Sequence, residues 1–385
     1  MNRTDFALLE FKPDLNKLSK KKELRQGLSV VVQVGDTLWV ANDETITLER
    51  LSRQTGTTNG GHKYGEHKQF ALNDYLRLPV PPPSDPDDIE EADVEGLDYD
   101  RRNSYLWLVS SHSLKRGHVD RDRENVPVKK KFDRLAEVSG DGNRFLLARI
   151  PVVKEDGMWT LKKKVERGPK NLTAAQLHAD RERVGKGNDL THALAKDDHL
   201  YRFLSIPSKD NGLDVEGLAV SGERVFLGLR GPLLRGWAVI LELELEEDDA
   251  STLKMKKIGP DDQPYRKHFL QLRGLGIRDL CAQGADLLIL AGPTMDLDGP
   301  VTIFRWPGGA QPSGESINFD KRLPVVLDIP FGQDDNRGTD HAEGMTLFSP
   351  TGGDPGSVLV VYDSASQRRQ QGTSTVEADI FALPA

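Results

Sequence analysis

Apolar residues along this chain come in short runs, each closed by a polar turn instead of continuing at helical spacing. Three kinds of run recur in a fixed order. The first carries a Glu-Gly step, in "DVEGLDYD", "DVEGLAVS" and "HAEGMTLF", which align on Glu95, Glu216 and Glu343. A second follows a short turn: "TLWVANDE", "YLWLVSSHS", "RVFLGLRG", "DLLILAGP" and "VLVVYDSAS". A third closes each set: "ITLERL", "FLLARI", "VILELE", "VTIFRW" and "ADIFAL". Runs of this length, rich in Val, Ile and Leu and bounded by Gly, Asp and Asn, predict strands. Two degenerate first runs complete the pattern. In "GIRDLCAQG" Arg278 takes the Glu position and Asp279 the Gly position, and in "QGLSVVVQV" Ser29 takes the Glu position.

The intervals point to radial repetition. Ser29 to Glu95 spans 66 residues, Glu216 to Arg278 spans 62, and Arg278 to Glu343 spans 65. The 42 residues after Glu343, taken with the 29 up to Ser29, make a similar interval, so the N-terminal "DFALLEF" is expected to complete the last sheet. The fold class is all-β, a β-propeller forming one domain over residues 1–385. Glu95 to Glu216 is 121 residues, nearly two periods, which leaves six blades as the alternative count. Two insertions in the second blade account for the excess and favour five. One is the charged stretch 112–143, which includes Lys115, Arg116, Arg121, Arg123 and Lys129 to Lys131 and reads as a solvated loop or a lid over the channel. The other, 171–198, reads as helical, with Asn171 or Thr173 as cap and Leu172, Ala175, Leu177 and Ala179 as its apolar face.

Composition narrows the partners. A net charge of −8 argues against nucleic acid and acidic membranes. The start "MNRTDFALLEFKPDLNK" has no signal-peptide core and no run reaches transmembrane length, so a cytoplasmic protein is expected. The single cysteine, Cys281, sits in an apolar run and rules out an internal disulfide framework.

Candidate chemistry follows from the ring. First strands of a propeller line its channel, so Glu95, Glu216 and Glu343 are expected to converge. The second runs end in Asn42, Asp43, Glu44, His112, Arg230 and Asp363, which should reach the same face. Crowded carboxylates repel, and protonation, arginine partners or a hard cation relieves them. Calcium suits oxygen ligands drawn from several blades, with magnesium the alternative. A purely structural reading stands beside this one, in which each Glu caps backbone amides of the next blade. Arg230 and Arg235, flanking "GPLL", suit an anionic substrate group, while Arg278 would supply counter-charge. His112 and His341 are candidate general bases. No G-x-S-x-G elbow, Walker loop or dinucleotide fingerprint occurs.

The D-x-E-G-L steps, "IPSKDNGLDVEGLAV" and "LGLRGPLLRGW" resemble a bacterial family known as domain of unknown function 3616, over nearly the whole chain. That resemblance implies a propeller. The Glu-Gly step is also similar to phytase-like, esterase-like and calcium-dependent lactonase propellers, which implies Glu95, Glu216 and Glu343 as ligands of a channel metal. Two functions are therefore expected. One is a divalent-metal-dependent hydrolase of a small ester, lactone or phosphoester, with His112, Arg230 and Arg278 catalytic and Arg235, Asp43, Glu44 and Asp363 holding a small anionic substrate. The other is a non-catalytic module binding a ligand or a protein.

Overall fold

The computed structural model describes residues 3–384, apart from 20–21, 56–60, 82–89, 120–125, 169–170, 180–185, 296, 351–352 and 354. Nearly every apolar run becomes a strand. Among the described residues the antiparallel pairings fall into five four-strand units. The first comprises Leu28–Val34, Thr37–Asn42, Thr47–Arg53 and His62–Ala71. The second comprises Val94–Asp100, Tyr105–Ser110, Leu147–Glu155 and Ala175–Leu177. The third comprises Asp214–Ser221, Arg224–Leu234, Trp237–Glu247 and Arg266–Leu270. The fourth comprises Gly276–Gln283, Asp286–Gly292, Val301–Trp306 and Val325–Ile329. The fifth joins His341–Phe348, Ser357–Asp363 and Thr375–Ala382 to the N-terminal Asp5–Glu10.

That last pairing is antiparallel, from Asp5 opposite Ile380 to Glu10 opposite Thr375. The two ends of the chain thus share one sheet. The same N-terminal strand pairs in parallel with His62–Tyr64 of the first unit, Ala7 opposite His62. A second parallel seam sets Gln176 and Leu177 against Thr252 and Leu253. Such seams cover outer strands that would otherwise offer open edges.

The first strands contact one another in a closed cycle, each unit touching the next and the fifth touching the first. Between neighbouring units lie apolar layers; one packs Trp39 and Leu48 of the first unit against Leu106 and Leu108 of the second. The Glu-Gly glycines sit at close crossings between units. A Cβ on Gly344 would stand 2.7 Å from Val30 Cα and 3.0 Å from Ser29 O, and one on Gly217 would stand 3.1 Å from the Asp279 carbonyl carbon. No side chain larger than hydrogen fits there without separating the units.

Aspartates latch the units. Asp98 Oδ2 accepts from Val220 N at 2.7 Å, and Asp279 Oδ2 accepts from Met345 N at 2.7 Å. The structural reading of the repeat expected this work of the glutamates; the aspartates do it instead.

The stretch 171–198 departs from the helical expectation. Leu172–Thr173 and Ala175–Leu177 are strands, and among the described residues of the stretch only Asp189–Leu194 is α-helical, capped by Asn188. The reason is the period: Ala175 and Leu177 are buried while Gln176 between them is partly exposed, an alternation of two that completes the second unit. The proposed caps Asn171 and Thr173 therefore begin no helix. In the stretch 112–143, Lys115–Arg116 pairs with Val138–Ser139, and Val128–Ala136 forms a helix that buries none of its residues. Arg121 and Arg123 lie outside the described residues.

Candidate functional site at the mouth of the ring

One local irregularity recurs in all five first strands. In the third unit the pairing passes from Val215 opposite Leu229 to Gly217 opposite Gly228, leaving Glu216 as an extra residue with nothing across from it. Glu95, Glu343, Arg278 and Ser29 are the extra residues at the same step of the other four. A bulge bends its strand and re-aims one side chain. The Glu-Gly step is the sequence trace of that bulge followed by a close crossing.

Three of the bulge residues are linked. Glu216 is 2% exposed and accepts a hydrogen bond from Arg230 Nη1. Arg278 spans the gap between units: its Nη1 lies 2.5 Å from Glu343 Oε1 and its Nε lies 3.6 Å from Glu216 Oε2. Its Nη2 donates to Pro293 O at 3.0 Å. Arg230 Nε stands 3.5 Å from Asp214 Oδ2. In the second unit Arg144 Nη1 lies 2.8 Å from Asp93 Oδ2, and the same guanidinium also pairs with Glu91.

Burial dominates the electrostatics. It pushes the Glu343 carboxyl up to about 7, aided by Asp363 and opposed by Arg278. It pushes Asp214 up to about 7 against the pull of Arg230. Glu95 makes no hydrogen bond or ion pair among the described residues; burial and the nearby Asp93, Glu216 and Glu343 hold it well above the usual carboxylate range. Asp43 is raised likewise, by burial and then by Asp363.

A cavity of about 980 Å³ opens on this face, lined by Arg230, Arg278, Asp298, His341, Glu343 and Asp363 among others. His341 Nε2 lies 2.9 Å from Asp298 Oδ1, and its Nδ1 lies 3.9 Å from Asp363 Oδ2. The nearby Asp363 carboxylate raises the imidazole pKa most, with Asp298 adding to it and burial opposing both. Although burial works the other way, contacts from His341 and Ser364 hold the Asp363 carboxyl low.

Other expected site residues stand apart from this cavity. His112 is buried in a left-handed turn, with Nδ1 2.7 Å from Ser110 O and Nε2 2.7 Å from Asn188 Nδ2. Burial lowers its pKa to about 4, so it is neutral at pH 7, and it lines a different cavity of about 440 Å³. Glu44 pairs with Lys22 at the surface. Arg235 lies on a turn at another cavity. Asp93, Arg144 and Asp298 belong to the mouth's charge network; Asp93 shares its step with Asp214, two residues before the aligned glutamates, while Arg144 and Asp298 carry no repeat signal in the sequence. Among the described residues no group of three His, Cys, Asp or Glu side chains is arranged to hold a metal. Arg278 stands between Glu216 and Glu343, where a shared cation would sit, so these residues as arranged do not fit one.

Fold and site together define an all-β, propeller-like chain whose first and second strands bring paired arginines and carboxylates to one mouth. The chain belongs to the family described as protein of unknown function (DUF3616), which matches residues 27–379. No curated protein matches it. Among solved structures it is similar to glutaminyl cyclase of Myxococcus xanthus, at 9% identity over 100% of both chains with a TM-score of 0.36. A putative oxidoreductase (glucose dehydrogenase) of Thermus thermophilus matches at 10% identity over 93% of this chain and 98% of that one, TM-score 0.36. A putative 6-phosphogluconolactonase of Bacteroides fragilis matches at 10% identity and TM-score 0.29, over 87% of this chain and 64% of that protein's length. Among the described residues no helix is long and apolar enough to cross a membrane.

Proposed function

We propose that the chain is a five-bladed propeller acting as a cytoplasmic hydrolase of a small anionic ester, lactone or phosphoester at the mouth cavity. The observation that carries this reading is Glu343, a bulge-borne carboxyl whose pKa of about 7 suits proton transfer at neutral pH, facing a cavity of about 980 Å³ beside two arginines. In this reading Glu343 takes a proton from water as the water oxygen attacks the carbonyl or phosphoryl centre. It then returns that proton to the leaving oxygen. Arg230 and Arg278 hold the substrate's anionic group and the charge that develops on the attacked oxygen. His341, held by Asp298 and Asp363, orients the substrate. The arginines supply the positive charge that the sequence assigned to calcium or magnesium, and no step here runs through a metal.

The test is a screen of phosphoesters, lactones and carboxylesters, followed by the pH profile of any substrate turned over. A rate that titrates near pH 7 and falls at least a hundredfold in Glu343→Gln supports the reading. No turnover in any class favours the second reading, a non-catalytic ligand-binding module. That reading draws on the arginines being already paired, Arg230 with Glu216 inside the third unit and Arg278 with Glu343 across two units, as structural ties would be.

A further inference from the structure

A second cavity shares no lining residue with the mouth cavity and is built by two turns of the same form. In "LLRGW" the chain reverses between Leu234 and Trp237, which pair across the hairpin. In "QLRGL" it reverses between Leu272 and Leu275, where Leu275 N donates to Leu272 O at 3.0 Å. Both turns place Arg and then Gly in the left-handed region: Arg235 at φ 53° and Gly236 at 86°, Arg273 at φ 58° and Gly274 at 81°. Gly and Asn are the usual occupants of the first position; arginine there is uncommon.

The two turns border one cavity of about 310 Å³, completed by Trp237, Gln271 and Asp320. Neither arginine makes an ion pair among the described residues, in a chain that carries net charge −8 and has eight more acids than bases. Arg273 has only the Phe304 ring beneath it, at 5.8 Å from its centroid. Trp237 is held on edge by Phe319, with centroids 5.4 Å apart, and keeps part of its surface open. Asp320 Oδ1 accepts from Lys321 N at 2.8 Å, and Gln271 Oε1 takes the Asp320 N–H at 3.4 Å, so both acceptors are fixed in place.

We infer that this cavity binds a sugar phosphate. Two unpaired guanidiniums from separate turns suit an anion with several oxygens, which both can grip at once. The indole offers an apolar wall for the ring. The Gln271 and Asp320 oxygens accept hydroxyl protons, and Asp320 repels an anion that lacks them. Phosphate and sugar thus answer to different parts of one cavity, and this site is independent of the mouth chemistry.

Calorimetric titration of the full chain with ribose 5-phosphate, at constant ionic strength, tests it. Saturable binding is expected, with inorganic phosphate weaker and ribose silent. Arg235→Asn and Arg273→Asn keep turns that asparagine tolerates, so wild-type melting is expected with affinity at least tenfold lower in each. Trp237→Phe should remove the tryptophan emission change on binding while the heat signal persists. Arg337→Ala, at the mouth cavity, should bind as wild type does. Absence of saturable binding overturns the inference. So does binding unaffected by the two asparagine variants, or binding lost in Arg337→Ala, which would move the ligand to the mouth.

Discussion

Arg278 and Glu343 occupy equivalent bulge positions in adjacent units, and Arg278 Nη1 lies 2.5 Å from Glu343 Oε1. A repeat that carries Glu in three units and Arg in a fourth thereby offsets part of its own charge. Like charges on neighbouring bulges would repel across a poorly hydrated gap; one arginine among them converts repulsion to attraction.

Metal dependence can be tested against that pairing. Millimolar calcium, magnesium or chelator should leave the melting temperature of the wild-type protein unchanged. Arg278→Gln frees Glu343 and leaves Glu216 with Arg230 as its one arginine among the described residues; it should lower the melting temperature in chelator and regain part of the loss with calcium. A calcium-stabilised wild type would instead show that the ion displaces Arg278.

The Glu343 carboxyl, raised to about 7 in the folded state, gives a signed pH effect. A carboxyl whose folded pKa lies above its unfolded value contributes stability at low pH and loses it as pH rises through the folded value. Glu343→Gln removes this dependence, so its stability relative to wild type should improve between about pH 4.5 and pH 7, by roughly 1–3 kcal/mol. Paired urea titrations across that window measure it; a pH-independent difference would count against the raised pKa.

Gly344→Ala tests the crossing of the fifth and first units, where the added methyl would meet Val30 Cα at 2.7 Å. Because the obstacle is backbone, the cost should be about 2–4 kcal/mol, seen as a lower urea midpoint. A methyl on the open turn at Gly222, with nothing within 4 Å, meets no such obstacle, though its φ of 64° still carries some strain.

Asp279 is 2% exposed and accepts from both Met345 N and Leu280 N at 2.7 Å. Asp279→Ala strands two buried amides and should cost about 2–4 kcal/mol. Asp279→Asn keeps an acceptor oxygen and should cost less. Equal losses in the two variants would mean that the acceptor is not what joins the units.

Removing residues 3–11 should expose the edge of Thr375–Ala382 and the layer holding Ala7, Leu9 and Phe11, all at most 1% exposed. The truncated chain should melt at lower temperature and aggregate on release of that edge. Scattering during thermal melts reads both effects.

Much of this was legible in the sequence because bulge and crossing leave a local signature. Ser29, Glu95, Glu216, Arg278 and Glu343 align by spacing alone, and the N-terminal strand lies where interval counting put it. What stayed hidden depends on contacts between distant segments. Nothing near Asp298 announces that His341 will meet it 43 residues later. His112 looked free at a strand end, and only the fold brings Asn188 to its ring. The segment 171–198 misled through Leu172, Ala175 and Leu177, good helix formers that here lie in short strands, Ala175 and Leu177 on the alternation of an outer one.

The bulge residues sit outside the hydrogen-bond ladder, so their side chains are spared the demands of sheet pairing. Glu, Arg and Ser occupy the same step in different units with the flanking register intact. Each unit therefore carries one position whose residue type varies without a change of register. The five together form a short alphabet around the ring, in which charge is set by side chains that the sheets do not need for pairing.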